Sequence, residues 1–276
     1  MDFTRSRLFD LLSSKRFWAA SAVIFSLLFF FSAFDVTALS CNILARDTQG
    51  LGRAYCTPSF RFTPQWKKVD NTTLKFEGAI RPDSYTDFEK VFTPEITTVQ
   101  VNSIKGDYRA AFQIGQKLQK QGVTVVVQQF CTAACANYWF LAGKTKVLDG
   151  GVVGFQGNYT AVAAQLTDDQ IRENLKTEFK STTGTPPTTD QMNTAFKRFK
   201  EFLQQEKAFF QAAGVDQAFF DLSQKEDKGA GDGQKYIYLI PGRKLMEQHG
   251  VSGLQGDQSQ ERLKILAQAG DMHFKE

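Results

Sequence analysis

Histidine is almost missing from this chain: 276 residues hold two, His249 and His273, both in the C-terminal part. A histidine-rich metal centre therefore has no material. Cysteine is scarce as well, with four residues: Cys41, Cys56, Cys131 and Cys135. The pair at 131 and 135 has no histidine or further cysteine beside it, so its spacing is not a metal-ligand pattern. No cofactor is implied either. An excess of one charge is also lacking. The net charge of +4 is small and evenly spread, which excludes the basic surface of a nucleic-acid-binding protein. No internal repeat is visible, so solenoid architectures fall away.

What is present is ample core material, chiefly 26 phenylalanines. The length suits one large domain or two small ones. The N-terminus carries Arg5, Arg7, Lys15 and Arg16, then an apolar run from Phe17 to Phe34. That is a basic flank followed by a stretch just long enough to cross a bilayer, at about 18 residues. Ala38-Leu39-Ser40 places small residues where a signal peptidase would cut before Cys41. A cleaved signal and a retained anchor compete, with a lipoprotein cysteine at 41 fitting less well. All three export the rest of the chain, to the periplasm or the outer face of the cytoplasmic membrane. Residues 1–40 are thus read as signal or anchor, 41–72 as an irregular exported lead, and 73–276 as the main domain.

Along that domain, β-branched and apolar runs alternate with helical spacing. Strands are expected at Leu74 to Ile80, Ile96 to Val101, Val123 to Val127, Val147-Leu148 and Val152 to Phe155. Short helices are expected at Asp83 to Val91 and Lys244 to His249. A longer one runs from an Asp107 cap to Gln121, with Gly122 ending it. Strand–helix alternation with short links indicates a parallel sheet. The unbroken run Val123 to Val127 suggests a strand covered on both faces. Later residues are more helical. Thr167 to Gln170 is a capping box opening a helix to about Lys180. Asp190 to Ala213 is a long amphipathic helix with Phe196, Phe199, Leu203 and Phe210 at helical spacing, a stripe for the core or for a subunit interface. Lys228 to Gln234 reads as a turn, Tyr236 to Ile240 as a strand, and the last twenty residues or so as one more helix.

One local absence matters most. The strand at Val123 to Val127 leads into Cys131-Thr132-Ala133-Ala134-Cys135, and a buried helix follows from Ala136 to Ala142, ending at Gly143. Strand-to-helix turns of this kind hold nucleophiles in several hydrolases, where free backbone N–H groups gather at the helix start. Here the centre of the turn is Ala133, which carries no reactive atom. With export, disulfides become available. Cys41–Cys56 would pin the lead segment and Cys131–Cys135 would brace the turn, but the spacing alone fixes neither pairing.

Taken together, three motifs resemble the Clp-protease/crotonase superfamily, and within it the exported Clp-like proteins of bacteria. Asn102-Ser103-Ile104-Lys105-Gly106 resembles the family loop Asn-Ser-Pro-Gly-Gly. Cys131 to Cys135, with Leu141-Ala142-Gly143 downstream, resembles Cys-x-Ser-Ala-Cys followed by Ala-Gly. Val153 to Gly157 resembles the segment that carries Gly-x-His. Tyr236 to Val251 resembles the closing strand and helix. The resemblance implies an α/β fold of repeated ββα units with a parallel sheet and a helical C-terminal half.

The resemblance places the nucleophile at Ala133 and the general base at Gln156, so both catalytic positions are degenerate. An alanine has no attacking oxygen, and a glutamine cannot take up and release a proton near neutral pH. Loss of one such member typically lowers the rate on the order of 10⁴- to 10⁶-fold. The family's oxyanion-hole donors map to the backbone of Gly106 and Ala134, which survive side-chain loss. Ser103, Lys105 and Thr132 are the candidates to line the pocket. Lys105 replaces a glycine, so a changed loop is expected. The reading that follows is an inactive homologue that binds a peptide or an envelope protein, attached to the membrane through its N-terminal segment if that is retained. Self-association is open. Two rivals remain. One is an active hydrolase with a displaced nucleophile such as Thr132, Ser103 or Cys135, or a serine–lysine pair using Lys105 or Lys144. The other is crotonase-type acyl-CoA chemistry with a carboxylate such as Asp107.

Overall fold

The computed structural model describes residues 65–222, 238–268 and 272–275. The apolar run at 17–34, the Cys41–Cys56 pairing and the 228–234 turn lie outside the described residues. Among the described residues, no helix is long and apolar enough to cross a membrane.

The protein is a mixed α/β structure built on a mostly parallel sheet. In chain order the elements up to the elbow are β1 (Trp66–Lys68), β2 (Thr73–Glu77), α1 (Ser84–Glu89), β3 (Thr98–Ser103), α2 (Tyr108–Gln121) and β4 (Thr124–Thr132). A π-helix follows at Cys135–Phe140, then β5 (Thr145–Val147) and β6 (Val152–Gly154). The helical part contains α3 (Tyr159–Ala163), α4 (Asp168–Thr183), α5 (Thr189–Ala212) and α6 (Gln217–Asp221). Last come β7 (Tyr238–Pro241), α7 (Arg243–Gln248), β8 (Leu254–Gln255), α8 (Gln260–Gln268) and β9 (Met272–Lys275).

The main sheet runs β1-β2-β3-β4-β5-β8, with β6 also pairing β4 beyond the end of β5. Only β1 is antiparallel. The short strands β7 and β9 form a separate parallel pair. It is joined to the end of β6 by reciprocal hydrogen bonds between Phe155 and Leu239, at 2.8 and 2.7 Å.

Local chemistry explains several boundaries. The Asp107 carboxylate accepts the Ala110 N–H at 2.8 Å and starts α2. Gly122, at φ 70°, ends it in the left-handed conformation that glycine adopts without strain. Thr167 and Thr188 each open a helix with a complete capping box. The second shifts the start of α5 one residue ahead of the expected Asp190. The core gathers where α2 and the π-helix cover the sheet. Trp66, Phe76, Phe88 and Trp139 interlock there, with ring centroids 4.8–5.3 Å apart.

Five expectations change. The strand at 123–127 is longer: β4 continues to Thr132 and delivers the elbow directly. Its two faces are not equally covered, since Val125 and Val127 are buried while Val126 and Gln128 are half-buried. The half-buried face carries amide pairs, Gln128 to Gln100 at 2.8 Å and Asn102 to Gln129 at 2.9 Å. The segment after the elbow is a π-helix with every residue from 135 to 140 buried. Finally, residues 66–68, within the stretch read as irregular, form β1, and the C-terminal residues add the strand β9 after α8.

Candidate functional site

The elbow is built by three adjacent parallel strands. Ser103 at the end of β3 pairs with Cys131 on β4, and Thr132 pairs with Gly154 on β6. The three segments that carry the motifs therefore emerge at one end of the sheet, the carboxyl end, where open parallel sheets place ligand crevices.

At the centre is Ala133, with φ 52°, the one non-glycine residue with positive φ among the described residues. A left-handed alanine costs about 1–2 kcal/mol. The surroundings enforce it. The Ala133 N–H donates to Gly154 O at 2.9 Å, and the Ala133 carbonyl accepts the Asn137 N–H at 2.9 Å. The Cys131–Cys135 disulfide spans the turn with its Cα atoms 5.2 Å apart, so this pairing is present. Ala133 and Ala134 are 6% and 7% exposed, so the turn is almost wholly buried.

The loop after β3 is fixed by its own backbone. Ile80 N–H donates to Lys105 O at 3.0 Å, and Asp107 N–H donates to Ile80 O at 2.7 Å. Gly106 between them has φ 151° and lies against Ile80 so closely that a β-carbon would collide with its backbone. Glycine is therefore required at 106. Lys105 has no positive φ, so a lysine is accommodated there without strain. Among the described residues, neither Gly106 N–H nor Ala134 N–H donates a hydrogen bond.

Gln156 lies two residues beyond Gly154, at the same end of the sheet. Its backbone carbonyl accepts Asn137 Nδ2 at 3.1 Å. Asn137 thus links the two degenerate positions, through its N–H to Ala133 and its amide to Gln156. Since a carbonyl can only accept, the Asn137 nitrogen must face Gln156. Its Oδ1 is then left buried without a hydrogen-bond partner among the described residues. Sequence reasoning passed over Asn137, although its spacing of four from Ala133 puts it one helical turn further on.

The displaced-nucleophile candidates fare differently. Thr132 Oγ1 donates to Ile104 O at 2.7 Å, and Ser103 Oγ donates to Lys105 O at 3.3 Å. Both hydroxyls hold loop carbonyls. Cys135 is in the disulfide. Lys144 is not brought to the elbow. Its N–H bonds Val123 O at 2.9 Å and its side chain passes Gly122, at the opposite end of β4. Asp107 is a helix cap, as read. His249 is the C-cap of α7, its Nδ1 3.8 Å from Asp216 Oδ2; His273 lies on β9.

A second polar centre had no sequence signal. Glu206 of α5 is 0% exposed. Its carboxylate accepts the Tyr138 hydroxyl at 2.5 Å, the Tyr159 N–H at 3.2 Å, and the Thr160 N–H and hydroxyl at 2.7 Å each. Burial, reinforced by the carboxylate, raises the Tyr138 pKa well above that of an ordinary phenol. Glu206 thereby ties the helical C-terminal half to the π-helix and to the start of α3, just past Gln156. In sequence it is one more exposed-looking glutamate in a charged amphipathic helix. No group of residues suited to hold a metal ion occurs among the described residues.

The fold and the elbow define an α/β protein on a mostly parallel sheet, with a strand–turn–helix whose central residue is alanine. No family model and no curated protein matches the chain. Among solved structures, a probable enoyl-CoA hydratase from Mycobacterium tuberculosis H37Rv aligns at TM-score 0.26 and 11% identity, covering 54% of this chain and 88% of that one. A methylmalonyl-CoA decarboxylase aligns at TM-score 0.28 and 10% identity, covering 76% and 96%. Both are crotonase-fold enzymes. Likeness at this level carries no argument about activity.

Proposed function

We propose that this protein is a catalytically silent Clp/crotonase-like protein of the cell envelope, whose elbow binds a peptide or protein partner. One observation carries the reading. Ala133 is held in the strained conformation that presents a nucleophile in hydrolases, yet its side chain ends at the β-carbon. A triad mechanism needs a hydroxyl with a base in reach, and Ala133 and Gln156 supply neither. The hydroxyls of Thr132 and Ser103 are engaged with backbone carbonyls. The undonated N–H groups of Gly106 and Ala134 offer a place for a carbonyl or carboxylate of a bound partner. The Asp107 carboxylate caps α2 through one oxygen, which supports the binding reading over the acyl-CoA alternative.

The test uses a fluorophosphonate probe and an unstructured peptide substrate. The unmodified protein should neither label nor cleave. Ala133→Ser alone should do little, because a hydroxyl without a base is a poor nucleophile. Ala133→Ser with Gln156→His should recover labelling. Labelling or cleavage by the unmodified protein would overturn the proposal.

A further inference from the structure

We propose that Thr185, at the tip of the α4–α5 hairpin, is an acceptor for a neutral O-linked sugar; the proposal rests on export of the domain. The turn between the helices reads Ser181-Thr182-Thr183-Gly184-Thr185-Pro186-Pro187-Thr188-Thr189. Hydroxyl residues mixed with proline are the composition of O-glycosylated segments. Composition cannot choose among these six hydroxyls. Their bonding does.

The tip is open to an enzyme. Every residue from 181 to 189 is exposed except the half-buried Pro187. A β-carbon on Gly184 would meet nothing within 4 Å. In α4 only Ile171, near its start, is buried, so the turns that lead to the tip are not part of the core.

Four of the six hydroxyls are engaged by the hairpin itself. Ser181 Oγ and Thr182 Oγ1 donate to Glu178 O at 2.8 and 2.9 Å. Thr183 Oγ1 donates to Phe179 O at 2.8 Å. Thr188 Oγ1 accepts the Gln191 N–H at 3.3 Å and caps α5. Thr189 is the first residue of α5, where neighbouring turns crowd its hydroxyl. Thr185 differs. Its hydroxyl makes no hydrogen bond among the described residues. Only its main chain is engaged, the carbonyl at 2.9 Å and the N–H at 3.4 Å, both with Thr183 Oγ1. Pro186 disfavours helical backbone at Thr185, and neither Pro186 nor Pro187 has an N–H to pair. The acceptor oxygen therefore stands on a main chain that a transferase can grip.

Chemistry favours a sugar over a phosphate. Thr185 lies two residues past Thr183, the last residue of α4. The carbonyl end of a helix disfavours added negative charge, and a neutral sugar adds none. The donor would be a sugar carried on a lipid phosphate. Thr185 Oγ1 attacks the anomeric carbon and forms the new C–O bond. The bond from that carbon to the phosphate oxygen breaks, and the phosphate leaves with its electron pair. The hydroxyl proton passes to the base of the transferase.

The experiment is tryptic mapping of the full chain purified from cells that make it, with electron-transfer fragmentation to locate the modification. Lys180 and Lys197 bracket one peptide, residues 181–197, that holds the whole tip. It should carry a sugar, placed on Thr185. Thr185→Val should remove the sugar completely while the thermal transition is kept, and Thr182→Val should leave it in place. Protease accessibility in intact spheroplasts of the same cells reports export separately. An exported chain with a bare 181–197 peptide overturns this proposal and leaves the envelope reading standing. A chain retained inside overturns both. A sugar on another hydroxyl with Thr185 bare, or a phosphate on Thr185, also overturns the proposal.

Discussion

Removing the Glu206 carboxylate should cost more stability than any other single change in the helical half. The group is 0% exposed and accepts four hydrogen bonds. No cation pairs with it among the described residues. Its compensation therefore comes from hydroxyls and backbone N–H groups. Glu206→Ala leaves those donors facing a small void. Thr160 Oγ1 has a second acceptor, Leu203 O at 3.5 Å. The Tyr138 hydroxyl and the Tyr159 and Thr160 N–H groups have no other acceptor among the described residues. Each stranded buried donor costs about 1–3 kcal/mol, so with water partly filling the void the loss is about 3–5 kcal/mol. For a domain of this size that is a Tm fall of about 10 °C.

Glu206→Gln preserves the shape but turns an NH₂ toward part of a ring of donors, so about half that loss is expected. Tyr138→Phe keeps the ring packing and removes one bond, for about 1–2 kcal/mol. The assay is urea unfolding followed by fluorescence of the buried Trp66 and Trp139. The cycle built from Glu206→Gln and Tyr138→Phe should show a coupling of about 1 kcal/mol, since the two groups are in contact. A Glu206→Ala loss below about 1 kcal/mol, or strict additivity in the cycle, would show that the network does not clamp the two halves together.

Two further expectations follow from the elbow and the sheet. Ala133→Gly relieves left-handed strain of about 1–2 kcal/mol and raises unfolded-state entropy by slightly less, so a net gain of about 0.5 kcal/mol is expected in urea melts, and a clear loss would mean that the β-carbon is packed to advantage. Burial pushes the Lys146 ammonium down to about 8, so the unfolded chain binds more protons above that pH; stability should rise by about 1 kcal/mol per unit between pH 8 and 9.5, before the tyrosines titrate, and Lys146→Met should abolish the slope.

Much of the fold was legible because its signals are local. The Asp107 cap, the Gly122 stop and the Thr167 box each act within a few residues, and each is found where the sequence placed it. What escaped depends on distant partners. The π-helix carries no periodicity of its own. It is buried on all sides, and its Tyr138 carbonyl sits where a β-carbon on Gly115 of α2 would be, so its geometry is tied to a helix some twenty residues earlier. Strand β9 is four residues long and exists through its pairing with β7. The stripe of α5 was visible, but it divides in a way spacing cannot show. Phe209 and Phe210 enter the core, while Phe196 and Phe199 remain half-buried.

The elbow shows the same division between the local and the distant. A single chain reveals that Ala133 stands at the middle of Cys-Thr-Ala-Ala-Cys. It does not reveal that this alanine takes φ 52°. An alanine has no intrinsic reason to do so, and in isolation the turn would relax. The strain is held by bonds from two other segments: from Gly154 of β6, and from the π-helix through Asn137 and through the disulfide of Cys135. If the turn served only to join a strand to a helix, glycine would do so at lower cost. Maintaining a costly geometry at a residue without reactive atoms makes sense if what matters is the backbone. The left-handed turn sets the direction of the next N–H, that of Ala134, and starts the helix whose Asn137 reaches Gln156. On that argument the part of the site to preserve in any variant is its main chain. If the elbow binds a partner as proposed, a substitution that frees the turn should weaken that binding even when, like Ala133→Gly, it makes the protein more stable.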